Sequence, residues 1–351
     1  MSYIDNIRKV VPYTPGEQPK VEGEIIKLNT NEFPYPPSAM VEKALESLDI
    51  DTLRLYPNVT AAPLARAIAK YYGFEEDEVF VGVGSDDVLA NSFLTFFASD
   101  VPILFPDITY SFYDVWADLY KIPYVRVPLK DDFTVDVNDY KVKNGGIVIA
   151  NPNAPTGIAL PLESIEEIVK ANPDVIVIVD EAYVDFGGES ALPLVRKYEN
   201  LLVVQTFSKS RAAAGMRIGF AVGNKTLIKY LSDVKFSINS YTMNQMALAA
   251  GVAAIEDKEY FKETVTRVIN TRNWANKQLV KLGFNVLPSS TNFVFASHKD
   301  VPARDIFEYL KTKNIFVRYF NKDRIDNYLR ITIGTKEQME KLVKVLEEYL
   351  K

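Results

Sequence analysis

The chain has 351 residues, of which 48% are hydrophobic and 25% are charged, and its formal net charge is −6. This balance is typical of a globular protein of about two domains, and its acidic character argues against nonspecific binding of nucleic acid. The absence of cysteine excludes disulfides and thiolate chemistry, and we expect the single histidine, His298, to be a surface residue because its neighbours in sequence are polar.

The amino-terminal segment has no apolar core of signal-peptide length, and no stretch of the sequence has the length and apolarity of a membrane span. We therefore expect a cytoplasmic protein without membrane contacts. Residues 1–30 are rich in proline and polar residues, which predicts an arm.

Helices and short apolar runs alternate from residue 40 onward. Residues 41–48 and 62–73 have helical periodicity, and Gly73 is well placed to end the second helix. Two of the apolar runs, 146–152 and 175–183, are continuous, which is typical of strands buried on both faces of a parallel sheet. The other runs cover residues 79–84, 101–106, 122–129, 201–208 and 218–223. This alternation predicts an α/β fold with a mostly parallel sheet flanked by helices.

The last third of the chain has a different pattern. Residues 267–283 predict a helix, residues 335–351 predict an amphipathic helix capped by Thr335 and Gln338, and strands are predicted at 293–297, 315–320 and 329–334. This pattern indicates a smaller α+β domain, whose boundary we expect near residues 245–260. We therefore predict three parts: an arm (1–30) that packs with the small domain, a large domain (31–250) and a small domain (251–351).

Polar residues follow three of the predicted strands, at the sheet edge where open α/β proteins bind ligands. Asn151 follows the apolar residues 146–150, Asp180 and Tyr183 end the run 175–183, and Lys209 follows the run 201–208. An amide, an acid, a phenol and an amine should thus meet at one edge.

This combination resembles the histidinol-phosphate aminotransferase family, class II members of the fold-type-I enzymes that use pyridoxal 5'-phosphate. The most specific element is Ser-Lys-x5-Gly-x-Arg at residues 208–217, and the supporting elements are Asn-Pro-Asn-Ala-Pro-Thr-Gly (151–157), Asp-Glu-Ala-Tyr (180–183) and Leu-Asn-Thr-Asn-Glu (28–32). The resemblance covers essentially the whole chain. It implies the fold-type-I architecture, with a large domain that holds the cofactor and a smaller domain that closes over the substrate.

The resemblance implies roles around the cofactor ring. Lys209 would form the Schiff base with the cofactor aldehyde and move the proton at the substrate α-carbon. Asp180 would pair with the pyridine nitrogen, Asn151 and Tyr183 would bind the phenolic oxygen, and Tyr110 would stack on the ring. A magnesium site at Asp180 and its acidic neighbours is the alternative. Strand alternation points adjacent side chains to opposite sides of a sheet, so we expect no metal.

A second set of residues is implied for the cofactor phosphate. Ser85 and Asp86 would lie at the start of a helix, so that their backbone N–H groups bind the phosphate, and Arg217 would add a charged donor. Hydroxyls are supplied by Thr206 and Ser208. Tyr56 resembles the tyrosine that reaches the phosphate of the neighbouring subunit, which implies a homodimer with a shared active site. A packed tyrosine before a proline turn is the alternative at this position.

Four residues resemble the family's substrate contacts. Arg330 would clamp the α-carboxylate, for which a guanidinium is suited, although an arginine on a solvated sheet face has the same pattern. Arg318 and Tyr13 would contact the substrate phosphate, and Asn29 would lie near the substrate amine or carboxylate. The implied reaction is the reversible conversion of L-histidinol phosphate and 2-oxoglutarate to imidazole-acetol phosphate and L-glutamate. In L-histidine biosynthesis glutamate donates the amino group and imidazole-acetol phosphate accepts it.

Three other functions fit parts of the same pattern. A lyase similar to threonine-phosphate decarboxylases would differ in which bond to the α-carbon is broken. A broad aromatic aminotransferase would differ in substrate. A non-catalytic binding protein of the same fold is disfavoured, because Lys209 and Asp180 are both present.

Overall fold

The structure is a computed structural model that describes residues 2–19 and 23–351. Residues 1 and 20–22, which belong to the predicted arm, lie outside the described residues. The strands of the described chain are β1 (Ile26–Lys27), β2 (Val79–Gly82), β3 (Ile103–Pro106), β4 (Tyr124–Val127), β5 (Ile147–Ala150), β6 (Val177–Asp180), β7 (Leu201–Thr206), β8 (Gly219–Gly223), β9 (Phe284–Val286), β10 (Phe293–His298), β11 (Ile315–Phe316), β12 (Arg318–Tyr319) and β13 (Leu329–Thr332).

The helices lie between these strands and after them. They are α1 (Ala39–Glu46), α2 (Ala62–Tyr72), α3 (Gly84–Phe96), α4 (Phe112–Tyr120), α5 (Leu162–Ala171), α6 (Leu192–Val195), α7 (Lys225–Ile238), α8 (Gln245–Glu256), α9 (Lys258–Lys281), α10 (Ala303–Thr312) and α11 (Lys336–Leu350). The prediction of Gly73 as the end of a helix is confirmed, because it follows α2 with φ of 77°. The capping box of Thr335 and Gln338 at the start of α11 is also confirmed. In the parts of the chain that the structure describes, no helix combines the length and the apolar character that crossing a bilayer needs.

A seven-stranded sheet with the order β2-β8-β7-β6-β5-β3-β4 forms the centre of the molecule. Every apolar run predicted between residues 79 and 223 contributes one strand to it, and β8 alone runs antiparallel to its neighbours. Six strands therefore end at the same edge. The sequence prediction of a mostly parallel sheet is confirmed.

Helices cover both faces of this sheet because both faces are apolar. Val177 and Val179 of β6 pack in the cluster that includes residues of α2, α5 and α8. Ile178 between them packs on the other face, in the cluster that includes residues of α3, α4 and α7. These three side chains are fully buried, and each contributes about 1.5–3 kcal/mol to the hydrophobic free energy of folding.

A second unit contains the antiparallel sheet β12-β13-β10-β9, against which α9, α10 and α11 pack. Leu329 and Ile331 of β13 are fully buried in its core, whereas Arg330 between them faces the other side, as strand alternation predicts. Ile26 and Leu28 lie in the same core, so the end of the predicted arm is part of this unit. The domain limits at residues 30/31 and 250/251 stay predictions.

Two sequence expectations in this unit are wrong. The strand predicted at residues 315–320 is split, because β11 pairs with β1 while β12 pairs with β13 of another sheet. His298 is not a surface residue, since only 7% of it is exposed. Its Nδ1 accepts hydrogen bonds from the N–H groups of Asp300 and Val301, and its Nε2 lies 2.9 Å from the carbonyl oxygen of Leu282. The imidazole is buried because it satisfies backbone groups where β10 ends.

Candidate active site

A cavity of about 120 Å³ lies at the edge where the parallel strands end. It is lined by Ser85, Asp86, Tyr110, Ala150, Pro152, Ala154, Asp180, Ala182, Tyr183, Thr206, Ser208, Lys209 and Arg217. Nine of the residues that the sequence predicted for the cofactor thus share one cavity. A larger cavity of about 700 Å³ lies between residues 59–65, β2 and α7, at the side of the sheet and away from these strand ends. We take the smaller one as the candidate site because the chemically distinctive side chains converge there.

Lys209 enters the cavity from the turn that follows β7. Its Nζ donates a hydrogen bond of 3.3 Å to the carbonyl oxygen of Thr30 and lies 5.6 Å from the ring centre of Tyr183. Thr30 belongs to the segment that follows β1. The amine is therefore held between the large sheet and the amino-terminal segment.

Asp180 ends β6, and its carboxylate is buried beneath the cavity. Oδ2 accepts a hydrogen bond of 2.8 Å from the hydroxyl of Tyr113, and Oδ1 accepts one of 3.2 Å from the N–H of Ala182. Burial raises the pKa of Asp180 to about 6, and the two hydrogen bonds oppose that rise. The adjacent Glu181 has different partners, Ser190, Ala191 and Gln205, in agreement with the predicted alternation.

Two tyrosines flank the cavity, and both are anchored through their hydroxyls. Tyr110 donates a hydrogen bond of 2.8 Å to Asp86, while Tyr183 accepts one of 2.9 Å from the amide of Asn31. Burial, with the nearby carboxylate of Asp86, raises the pKa of Tyr110, so its phenol stays protonated at neutral pH. Both tyrosines line the cavity.

Asn151 is the one residue predicted for the ring that does not line the cavity. Its side chain is buried and bonds the backbone of Leu160, accepting from N–H at 2.8 Å and donating to the carbonyl at 3.1 Å. One of its two amide hydrogens is left for another partner.

An anion cradle is formed by α3 and Arg217. The first N–H groups of a helix have no partner within it, and Ser85 and Asp86 lie in this first turn. Arg217 donates to Ser208 at 3.3 Å and to the carboxylate of Asp86 at 3.2 Å. The hydroxyl of Thr206 donates to Ser208 at 3.0 Å.

Glycines make this close arrangement possible. A Cβ atom at Gly84, where φ is 82°, would lie 2.5 Å from a guanidinium nitrogen of Arg217, and one at Gly219 would lie 2.2 Å from the backbone nitrogen of Ser85. The cradle offers N–H groups, hydroxyls and a guanidinium, which is the donor set that a phosphate needs. Together with Lys209 and Asp180, it fits pyridoxal 5'-phosphate.

A pair of arginines forms a second cationic region near Tyr183 and Tyr110. Arg318 and Arg330 are directly opposite each other on β12 and β13, and both guanidinium groups lie 5.6 Å from the ring centre of Phe320. Arg330 donates to the carbonyl oxygen of Asn29 at 3.1 Å. Its Nε is buried and has no hydrogen-bond partner among the described residues. The side chain therefore does not lie on a solvated sheet face, and its geometry leaves a donor for an anion.

Asn29 and Tyr13 lie beside these arginines. Asn29 is buried, and its amide donates to the carbonyl oxygen of Glu17 at 2.8 Å, so its side chain also fixes the arm. Tyr13 stacks on Phe112 of α4 with 4.1 Å between ring centres. The arm thus bridges the small unit and the large one next to the cavity.

Tyr56 is outside the cavity, and 82% of it is exposed. Its ring contacts Tyr241 at 4.6 Å between centres. Within one chain Tyr56 does not join the other predicted residues.

Sequence reasoning missed Tyr113 and the anchor of Tyr183. Tyr113 is one of 20 tyrosines, and nothing in its local sequence marks it as a partner of Asp180. Asn31 was part of a recognised motif without an assigned role, and it binds both Tyr183 and Thr332. The positive φ of Asn31, 56°, is typical of an asparagine that a fixed turn requires.

Comparison with known proteins gives concordant results. A family model described as aminotransferase class I and II matches residues 23–346. The chain is 53% identical to histidinol-phosphate aminotransferase of Brachyspira hyodysenteriae over 348 residues, which cover 99% of this chain and 98% of the relative. It is 55% identical to the protein of the same name from Clostridium botulinum over 339 residues, 96% of each. The solved structure of histidinol-phosphate aminotransferase from Sinorhizobium meliloti in complex with pyridoxal-5'-phosphate matches with a TM-score of 0.85 and 25% identity, covering 93% of this chain and 91% of that one.

Proposed function

The chain belongs to the aminotransferases of class I and II, and from this premise we propose that it interconverts L-histidinol phosphate plus 2-oxoglutarate and imidazole-acetol phosphate plus L-glutamate, with glutamate as the amino donor in L-histidine biosynthesis. Its cofactor is pyridoxal 5'-phosphate. The observation that carries the substrate proposal is the pair Arg318 and Arg330, which face each other across two strands beside the cavity. Like charges in such positions repel, so their arrangement favours an anion between or beside them.

The polar residues in and around the cavity have defined tasks in this reaction. The bound cofactor supplies an electron sink for the bond broken at the substrate α-carbon. Lys209 would hold the cofactor aldehyde and, once the substrate amine has displaced it, would move the proton between the substrate α-carbon and the cofactor carbon. Asp180 pairs with the pyridine nitrogen, and Tyr113 fixes the orientation of that carboxylate. Tyr110 stacks on the ring, while Tyr183 and the remaining amide hydrogen of Asn151 bind the phenolic oxygen.

The two cationic regions bind the cofactor phosphate and the substrate phosphate at different places. The cradle of Ser85, Asp86 and Arg217, with the hydroxyls of Thr206 and Ser208, holds the cofactor phosphate. Arg318 and Tyr13 bind the phosphate of the substrate, and Arg330 binds the carboxylate of the dicarboxylic acid partner. Asn29 supports this site by fixing Arg330 through its carbonyl oxygen. One pocket then accepts a phosphorylated amine and, in the other half-reaction, glutamate.

The enzyme works as a homodimer in this proposal, with Tyr56 entering the site of the neighbouring subunit. An exposed apolar surface around Tyr56 supports it, since Ile50, Leu53, Leu55, Ile238 and Tyr241 are all about half exposed or more. Segments 50–56 and 241–246 form one surface, because Gln245 donates to the carbonyl oxygen of Thr52 at 2.8 Å. Contiguous exposed apolar side chains of this kind mark protein–protein contacts.

The division into an arm (1–30), a large domain (31–250) and a small domain (251–351) is part of the same proposal, as is a cytoplasmic location. The separate hydrophobic core formed by α9, α10, α11 and the small sheet supports the last boundary. The bridge from Tyr13 to Phe112 supports a position of the arm over the site.

Titration of the purified holoenzyme with L-histidinol phosphate tests the function. We expect the absorbance band of the pyridoxal form to be replaced by that of the pyridoxamine form, and 2-oxoglutarate to reverse the change. A holoenzyme whose spectrum responds to phenylalanine but not to L-histidinol phosphate would be an aromatic aminotransferase. Release of carbon dioxide from threonine phosphate would identify a lyase.

Substitution of the lysine tests the mechanism separately. Lys209→Ala should abolish turnover and let dialysis remove the cofactor. Lys229→Ala, at an exposed lysine of α7, is the matched control and should leave both unchanged. Turnover that persists in Lys209→Ala would exclude the role given to this amine.

A further inference from the structure

An ion pair beside the anion cradle has no task in the reaction described above. Lys235, on α7, donates to Oδ2 of Asp87, in the first turn of α3, at 2.5 Å. The lysine side chain is only 5% exposed, and that of Asp87 is 25% exposed. Removing a lysine from water costs free energy that such a pair does not always recover, so this position calls for a specific reason.

Asp87 organises the turn from which α3 begins. Its Oδ2 also accepts the N–H of Val83 at 2.8 Å, and its Oδ1 accepts the amide of Asn91 at 3.0 Å. The carboxylate folds back so closely that a Cβ at Gly82 would lie 2.7 Å from it. By holding the turn in this way, Asp87 leaves the next N–H groups, at Ser85 and beyond, directed to the anion cradle.

This arrangement brings an electrostatic conflict. A carboxylate at a helix N-terminus is favourable by itself. Asp86 and Asp87, however, lie next to the position proposed for the cofactor phosphate, and like charges repel. Each carboxylate has a cation of its own. Arg217 pairs with Asp86 at 3.2 Å, and Lys235 pairs with Asp87. Two cations thus balance two carboxylates at the cradle.

We propose that Lys235 is a positioning residue that neutralises Asp87, so that the first turn of α3 keeps its geometry and still accepts the cofactor phosphate. The inference rests on the proposed function, since it assumes that the cradle holds pyridoxal 5'-phosphate. Lys235 itself acts through Asp87 and does not contact the phosphate in this scheme.

The test compares pyridoxal 5'-phosphate with pyridoxal, which lacks the phosphate, in binding to the full chain freed of cofactor. Lys235→Met leaves the charge of Asp87 unbalanced, and we expect it to weaken binding of pyridoxal 5'-phosphate about tenfold with little effect on pyridoxal. Asp87→Asn removes that charge, so the double variant Lys235→Met/Asp87→Asn should recover most of the affinity. Lys229→Met, at an exposed ion pair of the same helix, should match the wild type.

A purely structural role predicts other results. Equal weakening for both aldehydes in Lys235→Met, or a double variant no better than the single one, would overturn the inference. If Lys235→Met does not fold, Lys235→Gln carries the same expectation, with urea unfolding as the check that each variant is native. A wild-type chain that binds no pyridoxal 5'-phosphate would overturn the proposed function itself. A wild type that binds it, with variants that behave alike, would overturn only the role of Lys235.

Discussion

The hydroxyl of Tyr113, on α4, donates a hydrogen bond of 2.8 Å to Oδ2 of Asp180, at the end of β6, and both side chains are buried. Two elements on different parts of the chain thus fix the carboxylate that the proposed reaction places against the cofactor ring. The hydrogen bond stabilises the ionised carboxylate of Asp180, whereas burial of that carboxylate destabilises its ionised form. Tyr113 therefore bears on the pH at which Asp180 is ionised.

Tyr113→Phe should shift the pH dependence of cofactor binding. Burial raises the pKa of Asp180 to about 6, and loss of the hydrogen bond from Tyr113 raises it further, so the carboxylate ionises only at higher pH. We expect affinity for pyridoxal 5'-phosphate to fall off on the acid side at a higher pH than in the wild type. The measurement is the dissociation constant over the range from about pH 5 to pH 8.

A matched control for this variant is Tyr140→Phe. Tyr140 is also fully buried, but its hydroxyl has no hydrogen-bond partner among the described residues. Its removal should leave the pH profile unchanged. Identical profiles for the two variants would show that Tyr113 has no influence on the ionisation of Asp180.

Glu181→Gln should change how stability depends on pH. Burial raises the pKa of Glu181 from 4.5 to about 7, so between these values the folded chain holds a proton that the unfolded chain has released. The free energy of unfolding therefore falls as pH rises through this window, by about 3 kcal/mol for this one group. The variant has no such titration, and its unfolding free energy should depend less on pH.

Urea unfolding of the cofactor-free chain at about pH 5 and about pH 8 measures this difference. Glu263→Gln is the control, because Glu263 is exposed and pairs with Arg267 on the surface of α9. A wild type that becomes more stable towards pH 8 would contradict the sign, since Asp180 and Asp185 are buried with raised pKa values and act in the same direction as Glu181.

Arg318→Gln should selectively weaken binding of the phosphorylated substrate. The variant loses a charged donor beside Arg330, and hydrogen bonds to charged groups contribute about 1.5–3 kcal/mol, so KM for L-histidinol phosphate should rise about tenfold or more. The KM for glutamate should change much less. Steady-state kinetics of both half-reactions, with Arg267→Gln as an exposed control, measure the difference. An equal rise for both substrates would mean that Arg318 does not distinguish them.

Mixing two inactive variants tests the shared site. In a dimer with Tyr56 supplied in trans, Lys209→Ala and Tyr56→Ala subunits form a heterodimer in which one site carries both changes and the other carries neither. Random reassembly should therefore restore about a quarter of wild-type activity. Measurement after mild denaturation and refolding of the mixture, against each variant treated alone, gives the answer. No recovery in a mixture shown to contain heterodimers would place Tyr56 outside the neighbouring site.

The sequence alone determined the features that depend on local patterns. Apolar runs predicted all strands of the large sheet, and two of these runs are continuous because burial on both faces leaves that mark on consecutive residues. Lys209 and Asp180 were identified because they stand at strand ends within recognisable motifs, and Arg217 because it belongs to the same motif as Lys209. The split near residue 317 was not predicted, since a change of partner between two sheets leaves the apolar pattern of 315–320 unbroken.

Only the tertiary structure decided which distant side chains meet. Asp87 and Lys235 are 148 residues apart, and Tyr113 and Asp180 are 67 apart, so no periodicity links them. His298 looked exposed because its neighbours in sequence are polar, yet the backbone groups that bury it are brought together only where β10 ends. Hydrogen bonds and ion pairs act over a few ångströms in space, whereas sequence patterns show only which residues one segment buries. The motifs could therefore be recognised from the sequence, but the distant residues that contact them could not.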